Sequence, residues 1–289
     1  MPTQFSKIIL GTVQFGLPYG IANTLGQPSF KTVKEILALA YDHGIDTLDT
    51  AASYGESEIV LGQALHELKL HGKMHLISKV PPLPPDASPA EFAATSLAQS
   101  LRNLRCEALD GLLFHREDDL PHLPVLQQLQ DRGLTRGIGV SLDSSKYVSQ
   151  AGTLPLLQVP CNVLDHRFDA LIAGHPGQLF LRSVYLQGLL LLPEEQIHSE
   201  LAAIIPWRRR LAELGLPMKE LCFRYLLSLP GRVSILTGVD SVAQLQENIR
   251  LASLGPLPAE LLAAVRNAVP LLPEQLIRPC LWPARKKKE

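Results

Sequence analysis

Gly137-Ile138-Gly139-Val140-Ser141-Leu142 is the stretch at which two α/β architectures part. A doubly wound sheet that binds a dinucleotide carries Gly-x-Gly-x-x-Gly directly after its first strand, where the helix N-terminus meets a diphosphate. Here Leu142 stands in place of the third glycine, and the run falls in mid-chain. The two glycines therefore read as a strand that packs closely on its neighbours.

Outward from that strand, at 136–141, short apolar runs alternate with helical patterns in both directions. Toward the N-terminus they are strand 7–12, helix 32–43, strand 46–50, helix 57–69, strand 75–80, helix 89–105, strand 109–114 and helix 122–132. In 32–43 the apolar Val33, Ile36, Leu37 and Ala40 recur at helical spacing, and Gly44 stops the pattern. Toward the C-terminus follow helix 144–150, strand 155–160, helix 169–178, strand 179–185, an extra helix 194–214, helix 217–228, strand 233–237, and helices 241–252 and 258–270. Eight strands with crossover helices predict a (β/α)8 TIM barrel of the α/β class, with additional helices near the C-terminus. The expected organisation is a single domain over 1–289, with 276–289 as a C-terminal tail.

Composition sets the outer bounds. The 289 residues are 46% hydrophobic and 19% charged, with a formal net charge of -1. That balance supports a large core and gives no bias toward nucleic acid or a membrane surface. Cys106, Cys161, Cys222 and Cys280 form no metal-binding spacing, and no apolar run is long enough for a membrane span. The start of the chain lacks the apolar segment of a signal peptide, so the expected location is the cytoplasm. The basic end Arg285-Lys286-Lys287-Lys288-Glu289 reads as a solvated terminus. His66 and His71 are one residue too far apart for a helical zinc motif, and neither a phosphate-binding P-loop nor a Gly-x-Ser-x-Gly nucleophile turn occurs. No metal is expected.

Four residues stand where apolar runs give way to loops: Asp49, Tyr54, Lys79 and His115. Active sites of such barrels lie at the C-terminal ends of the strands, so the four converge on one mouth. Each has an ordinary explanation alone: a helix cap, a core edge, a solvated lysine, a strand histidine. Together they describe a tuned acid. A phenol titrates near ~10, a neighbouring ammonium favours its ionised form, and a carboxylate holds the ammonium in place. The expectation is a tyrosine that donates a proton near neutral pH, which suits carbonyl reduction.

Leu48-Asp49-Thr50-Ala51, Tyr54-Gly55, Ser57-Glu58, Ser78-Lys79 and Phe114-His115-Arg116 resemble, in order and spacing, the Asp, Tyr, Lys and His segments of the aldo-keto reductases. The likeness runs over nearly the whole chain. It implies reversible reduction of an aldehyde or ketone to an alcohol by NADP(H), with NAD(H) as the alternative. By the same resemblance Tyr54 is the general acid, Lys79 paired with Asp49 lowers its pKa, and His115 orients the carbonyl. Gly11, Thr12, Asp49, Ser141 and Gln158 match positions near the nicotinamide and its ribose, although Leu142 stands where the family often has Asn.

Arg182-Ser183-Val184-Tyr185 matches the segment that stacks on the nicotinamide, and either Arg182 or Tyr185 fills that role. Gly238, Ser241, Gln244 and Asn248 match the adenosine phosphate end. Lys or Arg commonly occupies positions matching Gly238, Asp240 or Gln244 in relatives selective for NADPH, and none is basic here. The resemblance thus implies weaker discrimination against NADH, unless Arg250 or a loop residue compensates. It assigns substrate contacts to Phe15 to Asn23, the loop after Lys79 with its proline run 81–85, and Leu276 to Pro283 with Trp282. The partner implied is a small carbonyl compound, with no nucleic acid or membrane, and no oligomeric state is implied. Two rival classes share these residues: a coenzyme-holding sensor or auxiliary subunit with little turnover, and a barrel isomerase or lyase using Lys79 as a Schiff-base amine.

Overall fold

A computed structural model describes residues 3–21, 23 and 26–282. The basic residues 285–289 lie outside the described residues, as does the end of the 276–289 tail. Eight parallel strands, β1(Ile8–Gly11), β2(Thr47–Asp49), β3(His75–Val80), β4(Gly111–Phe114), β5(Ile138–Ser141), β6(Leu156–Pro160), β7(Gln178–Arg182) and β8(Val233–Gly238), pair in chain order. The ring closes where β8 meets β1, with Ile8 opposite Ile235 and Gly11 opposite Gly238. This is the (β/α)8 barrel expected from the alternation.

Residues of alternating parity separate two apolar layers, because successive side chains of a strand point to opposite faces. Phe5, Ile9, Ile77, Leu113, Leu156, Phe180 and Leu236 form the inner cluster. Ile8, Leu10, Leu48, Leu112, Val140 and Leu157 belong to the outer one, shared with the helices. Burial on both faces explains why the strands read as continuous apolar runs. A Cβ on Gly139 would lie 1.7 Å from the Leu156 carbonyl oxygen, so β5 and β6 approach at a distance only glycine permits. The glycines of the opening stretch are a packing device.

The helices are α1(Val13–Gly16), α2(Phe30–Asp42), α3(Ser57–Glu67), α4(Pro89–Leu104), α5(Leu123–Asp131), α6(Val148–Ala151), α7(Asp169–Gly174), α8(Ile205–Ala212), α9(Met218–Leu227), α10(Val242–Ser253), α11(Ala259–Ala268) and α12(Glu274–Ile277). α2 starts at Ser29, whose hydroxyl accepts from the Thr32 amide at 3.1 Å, and buries Val33, Ile36, Leu37 and Ala40. α9 packs on α10.

Three of the boundaries that differ from the sequence expectation have a clear backbone cause. Helix 194–214 is two 3-10 turns, Glu194–Gln196 and Ser199–Ile204, followed by α8 with proline in its first turn. A proline is tolerated only at a helix start, so Pro206 opens a new helix there. Helix 169–178 ends at Gly174, since His175 precedes Pro176 and is extended. Strand 179–185 ends at Arg182, because Ser183, Leu186 and Gln187 take positive φ of 67°, 49° and 54°. That left-handed turn lies at the mouth. At the same mouth, a Cβ on Gly16 would sit 1.9 Å from the Tyr54 carbonyl oxygen, so the turn after β1 lies directly on the Tyr54 loop.

Among the described residues no helix is long and apolar enough to cross a membrane, and no cluster of three His, Cys, Asp or Glu side chains could hold a metal ion.

Candidate active site

Asp49 ends β2 and Lys79 is the penultimate residue of β3, so neighbouring strands bring their side chains together. Lys79 Nζ donates to Asp49 Oδ2 at 2.6 Å and to the Thr50 carbonyl at 2.9 Å. The lysine side chain is 0% exposed and the aspartate side chain 4%. Gln158 of β6 donates through Nε2 to Asp49 Oδ1 at 2.8 Å, and Ser141 of β5 reaches Gln158 Oε1 at 3.4 Å. Thr12 Oγ1 donates to the Asp49 carbonyl at 3.1 Å and contacts Ser57 Oγ at 2.9 Å. The ion pair is thus held from β1, β5 and β6 as well as from its own strands.

Tyr54 lies over this pair, with Lys79 Nζ 5.1 Å from its ring centroid. His115, just after β4, meets Tyr54 edge-to-face at 5.5 Å between ring centroids. Its Nδ1 is held by Ser53 Oγ at 2.9 Å. The four residues singled out from the sequence are therefore together.

Their electrostatics correct one expectation. Burial raises the Tyr54 phenol above its usual pKa; Lys79 and Arg182 pull it down but do not prevail. The resting tyrosine is a protonated donor, without the shift toward neutrality expected from the sequence. Burial also tends to lower the Lys79 pKa, but the charge of Asp49 and the hydrogen bonds to Asp49 and Tyr54 outweigh it, so the group is held as an ammonium. A fully buried ammonium is a poor Schiff-base nucleophile. His115 is lowered to about 3, by burial first and then by Lys79, Arg182 and Arg116, so its imidazole is neutral.

Beside Tyr54 opens a cavity of about 300 Å³. Gly11, Thr12, Asp49 and Gln158 line one side, Arg182 and Ser183 enter from β7, and Gly238, Gln244 and Asn248 from β8 and α10. Ser141 and Ser241 are not in its wall. Ser141 stands behind Gln158, and Ser241 caps α10, accepting from the Gln244 amide at 3.3 Å. Arg182 and Tyr185 both line the cavity. The guanidinium is fixed by the Leu142 carbonyl at 3.0 Å and Asp143 Oδ1 at 2.9 Å, whereas the Tyr185 hydroxyl reaches Asn248 Oδ1 at 3.5 Å.

The sequence reading missed several contributors. Asp143 is one: besides Arg182 it takes Arg278 Nε at 2.8 Å and Cys280 Sγ at 3.1 Å, tying the C-terminal segment to the mouth. Its place two residues beyond Ser141, at the end of β5, was the available signal. Gln14 is another. Among the described residues its Oε1 is buried without a partner, and a Cβ on Gly238 would lie 2.4 Å from it. This orphaned acceptor beside a bare backbone fits a polar ligand rich in hydroxyl and amide donors, as a nicotinamide dinucleotide is.

The loop after β1 arches toward the far side of the cavity. Gln187 Nε2 donates to the Tyr19 hydroxyl at 3.2 Å, the Ile21 amide to the Gln187 carbonyl at 3.1 Å, and Asn23 Nδ2 to Asp240 Oδ1 at 3.1 Å. Arg250, named as a compensating cation, is forked onto Glu247 at 2.8 and 3.0 Å and does not line the cavity. Lys219 of α9, which the sequence reading did not single out, does line it.

The family model described as "Aldo/keto reductase family" matches residues 7–173 and 178–270. A 6-dehydroglucose reductase of Novosphingobium aromaticivorans is 34% identical over 123 residues, which is 37% of this chain and 40% of that reductase. An NADH-specific methylglyoxal reductase of Escherichia coli is 26% identical over 259 residues, covering 73% of this chain and 79% of that protein. In fold, an aldo-keto reductase from Bacillus halodurans in its holo form superposes with a TM-score of 0.75 at 20% identity, covering 94% of this chain and 96% of that one. With the closed barrel and the Asp49, Tyr54, Lys79 and His115 cluster at its mouth, the family match over most of the sequence means that this chain belongs to the aldo/keto reductase family of oxidoreductases.

Proposed function

We propose that the chain reduces a small polar aldehyde or ketone, sugar-like or a 2-oxoaldehyde, to the alcohol, reversibly and with NADP(H) or NAD(H). The observation that carries this reading is the buried Lys79–Asp49 pair under Tyr54 and beside a neutral His115. The hydride would come from a nicotinamide coenzyme held by the residues that line the cavity, among them Gly11, Gln158, Arg182 and Gln244. Tyr54 gives its proton to the carbonyl oxygen as negative charge builds there. Its raised pKa keeps the proton in place until that moment, and the Lys79 ammonium stabilises the phenolate left behind. Asp49 and Gln158 hold the lysine in position. His115, uncharged and anchored at Nδ1, supplies a second hydrogen bond to the oxygen without a competing charge.

The names of the two reductases support a small oxygenated substrate. All four cysteines are free thiols, in keeping with the cytoplasmic setting proposed here. The test is a coenzyme-oxidation screen over aldoses, keto sugars, 2-oxoaldehydes and aromatic aldehydes, run beside Tyr54→Phe. Turnover of at least one class, abolished in the variant with coenzyme still bound, is the expected result. Tight coenzyme binding with no turnover over the whole panel would overturn the proposal.

A further inference from the structure

Resting on that reading, in which a dinucleotide lies along the cavity with its reactive end at Tyr54, we propose that Lys219 binds the 2'-phosphate of NADPH and makes it the preferred coenzyme. Lys219 is the second residue of α9 and lines the cavity together with Gln244 and Asn248 of α10. It is half-buried, yet among the described residues it makes no hydrogen bond or ion pair. The other cations of this wall are spent: Arg182 is held by Asp143, and Arg250, behind the wall, by Glu247. A partly desolvated ammonium with no directly bonded counter-ion, only the more distant charges of Glu247 and Arg250, lowers stability, and an anion arriving there offsets that cost. Burial lowers its pKa, with Glu247 acting in the opposite sense, as expected for a cation awaiting a partner.

Position selects which phosphate. The diphosphate of a dinucleotide lies between its two riboses, and the end remote from Tyr54 is the adenosine. Lys219 shares the cavity wall with Asn248 and feels the charge of Glu247, both in the second turn of α10, whereas Gly11 and Gly238 stand at strand ends. The group that distinguishes NADPH at that end is a phosphate carrying about −1.5 to −2 charges near neutral pH. Asp240, in the same wall, opposes it, but one of its oxygens is engaged by Asn23. This cation comes from a different helix than the positions at which basic residues are usual in NADPH-selective relatives, and it offsets their replacement by Gly238, Asp240 and Gln244.

Calorimetric titration of the full chain with NADPH and NADH, and with 2',5'-ADP and 5'-ADP, tests this. Lys219→Gln is expected to weaken NADPH and 2',5'-ADP by about tenfold or more, the worth of one charge-assisted contact, while NADH and 5'-ADP change by less than about twofold. Lys219→Arg, with circular dichroism to verify folding of both variants, is expected to restore the selective binding. Equal weakening of both coenzymes, or unchanged NADPH affinity in Lys219→Gln, overturns the assignment. An unmodified chain that binds neither coenzyme overturns the reductase reading itself, a different result from a variant that binds both as before.

Discussion

Both ends of the barrel bury a carboxylate among cations, and only one end has the makings of a reactive site. At the N-terminal end, Asp110 accepts from His75 Nδ1 at 3.0 Å, the Leu76 amide at 2.9 Å and Arg136 Nη1 at 2.7 Å. At the mouth, Asp49 accepts from Lys79 and Gln158. The cavity beside Asp110, about 370 Å³, is comparable to the mouth's 300 Å³. Neither a buried ion pair nor the size of a hole therefore marks the site. The difference lies in what adjoins the pair. Both Asp110 oxygens are taken up within the chain, Oδ1 by His75 and Arg136 and Oδ2 by the Leu76 amide, and so tie strand starts together. Around Asp49 the ion pair supports two uncharged titratable groups, Tyr54 and His115, beside a cavity with an unsatisfied acceptor.

Removing the proposed proton donor is the most severe way to probe that contrast. Tyr54→Phe is expected to lower kcat by about 10²–10⁴-fold with coenzyme affinity retained, the range of a lost general acid. Single-turnover kinetics with calorimetry would separate the two effects. Lys79→Met is expected to cut the rate as well, and to destabilise the fold by about 3–5 kcal/mol, because Asp49 is left as a buried uncompensated charge. Denaturant unfolding measures this, and unchanged stability would mean the pair is not as buried as described.

pH sharpens the comparison with smaller effects. A phenol raised by burial stays protonated up to alkaline pH, so reduction is expected to hold through neutrality and fall as pH rises past the phenol's pKa. The reverse oxidation, which needs the phenolate, is expected to climb over the same range. With His115 lowered to about 3, neither profile has an inflection near the ordinary histidine value; a clear step there would contradict the neutral imidazole.

At the other end, Asp110→Asn is expected to leave kcat unchanged and to cost about 1–3 kcal/mol of stability. The Asp110 pKa is lowered on balance: burial raises it, but His75, the Leu76 amide and Arg136 prevail. Its contribution is present above the unfolded carboxylate value and is lost as pH falls through the lower folded value. His75 is raised, chiefly by its bond to Asp110, so its share is complete below the unfolded imidazole value and is lost as pH rises through the higher folded one. The stability gap between the two proteins is therefore expected to be widest in mildly acidic solution, and thermal melts across pH would show it.

The strand and helix order was legible because parallel strands covered on both faces read as unbroken apolar runs, and because α2 and α10 carry clear periodicity and serine caps. Asp49, Tyr54, Lys79 and His115 were legible because one rule, polar residues at strand ends, gathers them. Lys219 was hidden: it lies mid-wall only because α9 packs on α10, and nothing local in Pro217-Met218-Lys219 distinguishes it from a solvated lysine. The break in 194–214 depended on proline chemistry that the amphipathic pattern masked. The sign of the Tyr54 shift was beyond reach for another reason, since attraction to Lys79 is written in the residue types whereas burial depends on the finished barrel.

The contact between Gln158 and Asp49 joins residues 109 positions apart in the chain. Asp49, which holds Lys79 under Tyr54, is thus fully bonded only when β6 faces β2 across the closed ring. Enzyme turnover would then report on completion of the cylinder, and a fragment ending before β6 would stay inert until its missing half docked.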